Sequence, residues 1–203
     1  MTRQVIAQPL SHEAISGHGL QVIAAPSSPS AAHQGNQGTA LVVRGMTSFP
    51  SYYSKAPSGK PASCNTAYFR CAPRPVKNGR LRIKVFERHP YTRQAFIPLG
   101  TDKYKRAYVV VVAEDKGMCF RDLVLRIRLR LDDKPDLNTV KAFIAVGNMG
   151  IVYEANRWHS PMCALDEVLP TLLLIVLILY RPSSLRWSNT RMELQRRIVW
   201  SIF

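Results

Sequence analysis

The chain has 203 residues, 46% hydrophobic and 20% charged, a balance that excludes general disorder and suffices for one cored domain without staples. Its four cysteines show no C-x-x-C spacing, which excludes a zinc ribbon, and they are too few for a disulfide scaffold. A net charge of +15 invites nucleic acid or an anionic membrane, yet residues 116–131 and 168–203 each hold a net +4 of it, so over half of the excess lies in two segments.

The first fourteen residues lack an apolar signal-peptide core, so a reducing, cytoplasmic setting is expected. Leu10-Ser-His-Glu-Ala-Ile-Ser predicts a short N-terminal helix, with Ser11 as its cap and Gly17 and Gly19 as its stop. Leu20 to Ala25 alternates as a strand. Pro26 to Gly38 and Tyr52 to Pro61 predict loops, and Asn65–Cys71 a strand between them and the middle of the chain. Leu81, Ile83 and Val85 alternate with Arg82 and Lys84, the period of a half-buried strand. Gln94 to Leu99 is short and extended, with Pro98 as a stop or an edge. Ala107 to Ala113 holds Tyr108 and four consecutive valines, so this strand is expected to be buried on both faces. Val140 to Val146 predicts a strand, Gly147-Asn-Met-Gly150 a turn, and Ile151 to Glu154 its hairpin partner. Val168 to Tyr180 is apolar but falls short of the roughly 20 residues a membrane span needs; a buried strand or core helix is expected and a membrane anchor disfavoured. Many short strands between turn signals predict a β-sandwich or barrel.

Three clusters carry polar groups suited to chemistry. Glu87-Arg-His-Pro places His89 at a strand end, either as a loop histidine bonded to backbone or as a titrating group. Asp132-Asp-Lys-Pro-Asp136 reads first as turn chemistry. Tyr153-Glu-Ala-Asn-Arg-Trp-His159 has the composition of a binding wall, with a structural reading equally open. No H-x-H with a distant Glu is present, and two histidines are too few to argue a metal by spacing, so none is expected. There is no phosphate loop and no G-x-S-x-G elbow. The Arg-rich segments lack the interleaved aromatics of a stacking platform, so no nucleic-acid partner is expected.

Five pieces, in order, resemble the ureidoglycolate lyase family of allantoin degradation, in its fungal form. They are Glu87-Arg-His-Pro, Gln94-Ala-Phe-Ile-Pro, Tyr108-Val-Val-Val-Val-Ala, Asp133-Lys-Pro-Asp-Leu-Asn-Thr-Val-Lys-Ala-Phe-Ile, and Gly150-Ile-Val-Tyr-Glu-Ala-Asn-Arg-Trp-His-Ser-Pro. Leu10-Ser-His-Glu-Ala and the loop Ala56-Pro-Ser-Gly-Lys-Pro add weaker matches. The resemblance implies a mainly β fold, a cupin-like (RmlC-like) β-barrel with a short N-terminal helix, commonly a homodimer. It also implies a carbon–nitrogen lyase of the amidine-lyase class, splitting ureidoglycolate into glyoxylate and urea in purine catabolism without a cofactor. Two segments depart from the family pattern, an insertion at 117–131 and an apolar, then Arg-rich tail. The expected division is therefore a lyase-like barrel over 1–167 and a divergent tail over 168–203.

Ureidoglycolate carries a carboxylate, a hydroxyl and a ureido nitrogen on one carbon. Its cleavage needs a base for the hydroxyl, an acid for the departing nitrogen and a cation for the carboxylate. Since imidazole titrates near working pH, His89 or His159 is expected as the base, and Tyr153 or the other histidine as the acid. Lys134 and Arg88 are the carboxylate anchors, Gln94 and Asn156 bond the urea amide, and Trp158 is an apolar wall. Two other readings stay open: an amidohydrolase releasing ammonia from the same substrate, and a non-catalytic cupin-like protein with a basic, anion-binding tail.

Overall fold

The computed structural model describes residues 3–25, 32–56, 59–60, 62–116, 134–177 and 196–199. The predicted insertion at 117–131 lies outside them, as does most of the chain after residue 177. The described residues are mainly β, with strands numbered β1 to β16 in chain order and gathered into four sheets. One sheet has the order β1 (Arg3–Ile6), β16 (Arg196–Val199), β8 (Arg80–Ile83), β7 (Val76–Lys77). In the second, β10 (Arg106–Asp115) pairs with β13 (Trp158–His159) and β14 (Cys163–Ala164) on one edge and β11 (Pro135–Val146) on the other, and β2 (Gln8–Pro9) follows β11. The third runs β3 (Leu20–Ile23), β12 (Gly150–Tyr153), β9 (Gln94–Pro98), β15 (Leu169–Leu177), β6 (Ser63–Cys71). A small hairpin joins β4 (His33–Gly35) to β5 (Ala40–Val42).

The valine strand organises these layers. Along β10 successive side chains point to opposite faces. Tyr108, Val110 and Val112 join a core with Phe96, Ile151, Leu169 and Leu173 of the third sheet. Val109, Val111 and Ala113 join a second core with Leu81 and Ile83 of β8. With apolar groups on both sides, β10 is stable only between two layers, as its sequence predicts. Each of its fully buried valines contributes on the order of 1.5–3 kcal/mol. The apolar run after Val168 is a strand: β15 lies between β9 and β6 and buries Leu169, Leu173 and Ile175 on alternate positions.

Four expectations are corrected. The N-terminal helix is a run of turns. Ser11 Oγ does accept the Ala14 N–H at 3.1 Å, as a cap should. The Ile15 N–H then bonds four residues back, but those of Ser16 and His18 bond three back, and Gly17 (φ +76°) and Gly19 (φ +63°) intervene before a second helical turn forms. Within the predicted loop 26–38, His33–Gly35 is a strand, paired across a turn in which Gln37 takes φ +57°. Gly147 to Gly150 does turn the chain, but β12 pairs with β3 and β9 rather than with β11. Gly147 is pressed so closely on the Asp102 carbonyl that a Cβ has no room, and the chain leaves the second sheet there for the third. Finally, among the described residues no sheet closes on itself into a barrel.

Candidate functional site

The site forms where Glu87 meets His159. Their backbones exchange two hydrogen bonds, Glu87 N–H to the His159 carbonyl at 2.8 Å and His159 N–H to the Glu87 carbonyl at 2.9 Å. Residues paired this way project to the same face, and their chain neighbours project to the other. His159 also pairs with Val112, which belongs to the core shared with the third sheet. That face gathers Glu87, His89 and His159 against Tyr153 and Gln94, themselves register partners on β12 and β9.

The His159 ring is 2% exposed and stacks on Tyr153 at 4.1 Å and 14°. Its Nδ1 lies 2.8 Å from the Arg157 carbonyl, which only accepts, so Nδ1 carries a proton. Its Nε2 faces Gln94 Oε1 at 3.0 Å and Glu87 Oε1 at 3.6 Å. The His89 ring centroid is 5.8 Å from that of His159, and its Nε2 is buried with no hydrogen-bond partner.

The charges here are perturbed. Burial, and then the charge of His159, push His89 down to about 4 against the pull of Glu87, so it is neutral at physiological pH. For Glu87, burial works to raise the carboxyl, but the adjoining His159 and then His89 outweigh it and leave it below its ordinary value. Burial holds the Tyr153 phenol far above its usual range, so it stays protonated.

Strand alternation separates other predicted residues from this group. Arg88 and Trp158 lie on the opposite face, with the guanidinium 4.8 Å from the Trp158 ring and Nη1 2.8 Å from Asp115 Oδ2. Trp158 packs against the β8 core, where its Nε1 is buried without a partner. Asn156 takes φ +66° in the turn before β13, and its N–H bonds the His89 carbonyl at 2.9 Å. The Lys134 carbonyl accepts from the N–H of Lys116, which follows the end of β10 and is four residues from Val112, the partner of His159, or about 13 Å of extended chain. In the second cluster Asp136 lies at the start of β11, where its side chain accepts the Asn138 N–H and its carbonyl the Thr139 hydroxyl.

Glu87, quoted in the first cluster but given no role there, is the group that sequence reasoning missed. Its signal was available, since positions 87 and 89 share a face in extended chain. Glu87, His89 and His159 each offer one donor atom, all within 4.8 Å of one another. Two imidazoles and a carboxylate are a known donor set for a catalytic divalent cation. The unmet His89 Nε2, and the Arg157 carbonyl that holds the proton on His159 Nδ1, both fit such an ion. A separate cleft near Thr101 is less suited to chemistry, because its exposed charges pair with each other, Lys105 with Glu167 at 3.3 Å and Arg106 with Asp166 at 3.5 Å.

Comparison with known proteins gives a family match for residues 2–183, to a model described as ureidoglycolate lyase. The chain is 33% identical over 142 residues to the ureidoglycolate lyase of Saccharomyces cerevisiae, covering 65% of this chain and 62% of that one. It is 32% identical over 117 residues to that of Schizosaccharomyces pombe, covering 58% and 48%. For Escherichia coli (strain K12 / DH10B) the figures are 40% over 88 residues, covering 43% and 42%. The matches thus span less than two thirds of each of these relatives' lengths. A solved RmlC from Streptococcus suis, in complex with dTDP-D-xylose, overlays 97% of this chain and 89% of its own at 12% identity, with a TM-score of 0.33. That likeness is too loose to argue from.

Proposed function

This chain belongs to the ureidoglycolate lyase family, and from that premise we propose that it cleaves ureidoglycolate to glyoxylate and urea by general acid–base catalysis. One observation carries the reading: Glu87, His89, His159, Gln94 and Tyr153 converge on one face, where burial and neighbouring charge displace the protonation of Glu87, His89 and Tyr153. In the reaction the substrate hydroxyl loses its proton as its C–O bond becomes the aldehyde. The C–N bond breaks, and the departing nitrogen gains a proton to become urea. The His159 Nε2 takes the hydroxyl proton, and the Glu87 carboxylate stabilises the imidazolium that results. Tyr153, held protonated, or His89 supplies the proton to nitrogen. Gln94 bonds the ureido amide and holds the His159 ring.

Arg88, committed to Asp115 on the far face, is not assigned to substrate, which leaves Lys134 as the carboxylate anchor of the predicted pair. Lys134→Ala is expected to raise KM with little change in kcat. The donor set of Glu87, His89 and His159 favours a second reading, in which a divalent cation held there supplies Lewis-acid stabilisation of the developing carbonyl. The family reading also carries a cupin-like fold, a homodimer and a cytoplasmic location. Among the described residues no helix is long and apolar enough to cross a membrane.

The test is product analysis on the purified chain, with and without chelator. Equimolar glyoxylate and urea support the lyase. Ammonia in place of urea identifies an amidohydrolase, and no product from ureidoglycolate overturns the reading. Loss of activity in chelator selects the metal-assisted form.

A further inference from the structure

We propose that Arg157 is a positioning residue for His159: its guanidinium clamps the 154–157 turn onto β10 and Gly19, so that its own carbonyl holds the proton on His159 Nδ1 and leaves Nε2 for chemistry. The proposal rests on the acid–base reading of His159. A backbone carbonyl can dictate a tautomer only if its peptide plane is fixed. One backbone bond closes the turn that carries it, from the Arg157 N–H to the Glu154 carbonyl at 3.2 Å, while Asn156 sits at φ +66° and the chain leaves at once for the two-residue strand β13.

Arg93 and Gln21 hold the Glu154 carboxylate at the start of the turn, at 2.7 and 3.0 Å, and the Arg157 side chain restrains its end. Its Nη1 is 2.6 Å from Glu114 Oε1 and donates a longer bond, 3.5 Å, to the Ala113 carbonyl. Glu114 follows a register irregularity in the β10–β11 ladder, and its N–H is taken by the Thr139 hydroxyl at 2.8 Å. On the other side the guanidinium lies against Gly19. A Cβ there would come within 2.5 Å of Nε and 2.8 Å of Nη2, so a residue with a side chain at 19 displaces the clamp. The Gly19 carbonyl also accepts the Glu154 N–H at 3.0 Å, which ties the start of the turn to the same place. Asn156 meanwhile bonds the His89 carbonyl, so one turn sets the position of both histidines.

The experiment uses the full chain and two independent readouts. Long-range proton–nitrogen spectra of the histidine rings report the His159 tautomer, and glyoxylate release reports kcat and KM. The wild type is expected to hold His159 with the proton on Nδ1. Arg157→Ala should give a mixture of tautomers and lower kcat by about 10–100-fold, the range for lost outer-shell support, with KM within about threefold. Glu114→Gln should do the same to a smaller degree, and Arg157→Lys should recover part of the loss. An Arg157→Ala protein with the wild-type tautomer and kcat overturns the proposal. So does a raised KM with unchanged kcat, which makes the guanidinium a substrate ligand. If Arg157→Ala fails to fold, the near-isosteric Glu114→Gln is read in the same spectra. A wild type that forms no glyoxylate sinks the lyase reading alone, because the spectra still decide the clamp.

Discussion

Glu87, His89 and His159 project to one side of the short 87/159 bridge, Arg88 and Trp158 to the other, and the two sides treat charge differently. On the Arg88 side the guanidinium has both an acidic partner at 2.8 Å and an aromatic face at 4.8 Å. On the histidine side a carboxylate and two imidazoles crowd together, one ring nitrogen has no partner, and His89 is driven down to about 4. A structural corner pairs its charges, whereas a corner kept for chemistry crowds its titrating groups together and displaces their protonation. Residues one apart in the chain therefore serve different ends.

The comparison breaks most visibly at His89. His89→Gln is expected to lower kcat by about 10²–10⁴-fold, the usual worth of an acid–base group; unaltered turnover would remove His89 from the site. The next effect is on stability. The folded chain holds His89 neutral down to about pH 4, while the unfolded chain protonates it near 6.5, so between these values the unfolded state binds more protons. Stability should fall by about 3 kcal/mol as pH drops through that window, and His89→Gln should flatten the slope in denaturant titrations. Smaller still, Val111→Ala and Val112→Ala each remove two methyl groups from opposite faces of β10 and should each cost about 2 kcal/mol. A negligible loss at either position would mean that its layer is not packed as described. Least of all, Arg88→Met should cost about 1 kcal/mol and leave kcat within about threefold, since it breaks a partly exposed ion pair and a ring contact.

Much of this was legible in the sequence, for identifiable reasons. Four valines in a row can only be a strand covered on both sides, and β10 is one. The apolar run at 169–177 could be read as buried, but its partners β9 and β6 are set by pairing across more than seventy residues, which no local pattern encodes. The N-terminal cap was visible and worked, but two glycines end the segment before a helix forms. Both histidines are legible from their chemistry, but the same chemistry points to Arg88 as a carboxylate anchor and Trp158 as an apolar wall, which the structure puts on the other face. A two-residue strand such as β13 shows no period, so the alternation that sends Trp158 and His159 to opposite faces was hidden. Glu87 went unassigned because its tie to residue 159 is a single backbone bridge.

The decisive measurement is the turnover of two adjacent substitutions, Trp158→Phe and His159→Ala, assayed side by side for glyoxylate release in proteins shown to be folded. The alternating faces predict a kcat lowered by about 10²–10⁴-fold for His159→Ala and changed by less than about threefold for Trp158→Phe. Equal losses at both positions, or the larger loss at Trp158, would contradict the assignment of the chemistry to the histidine face.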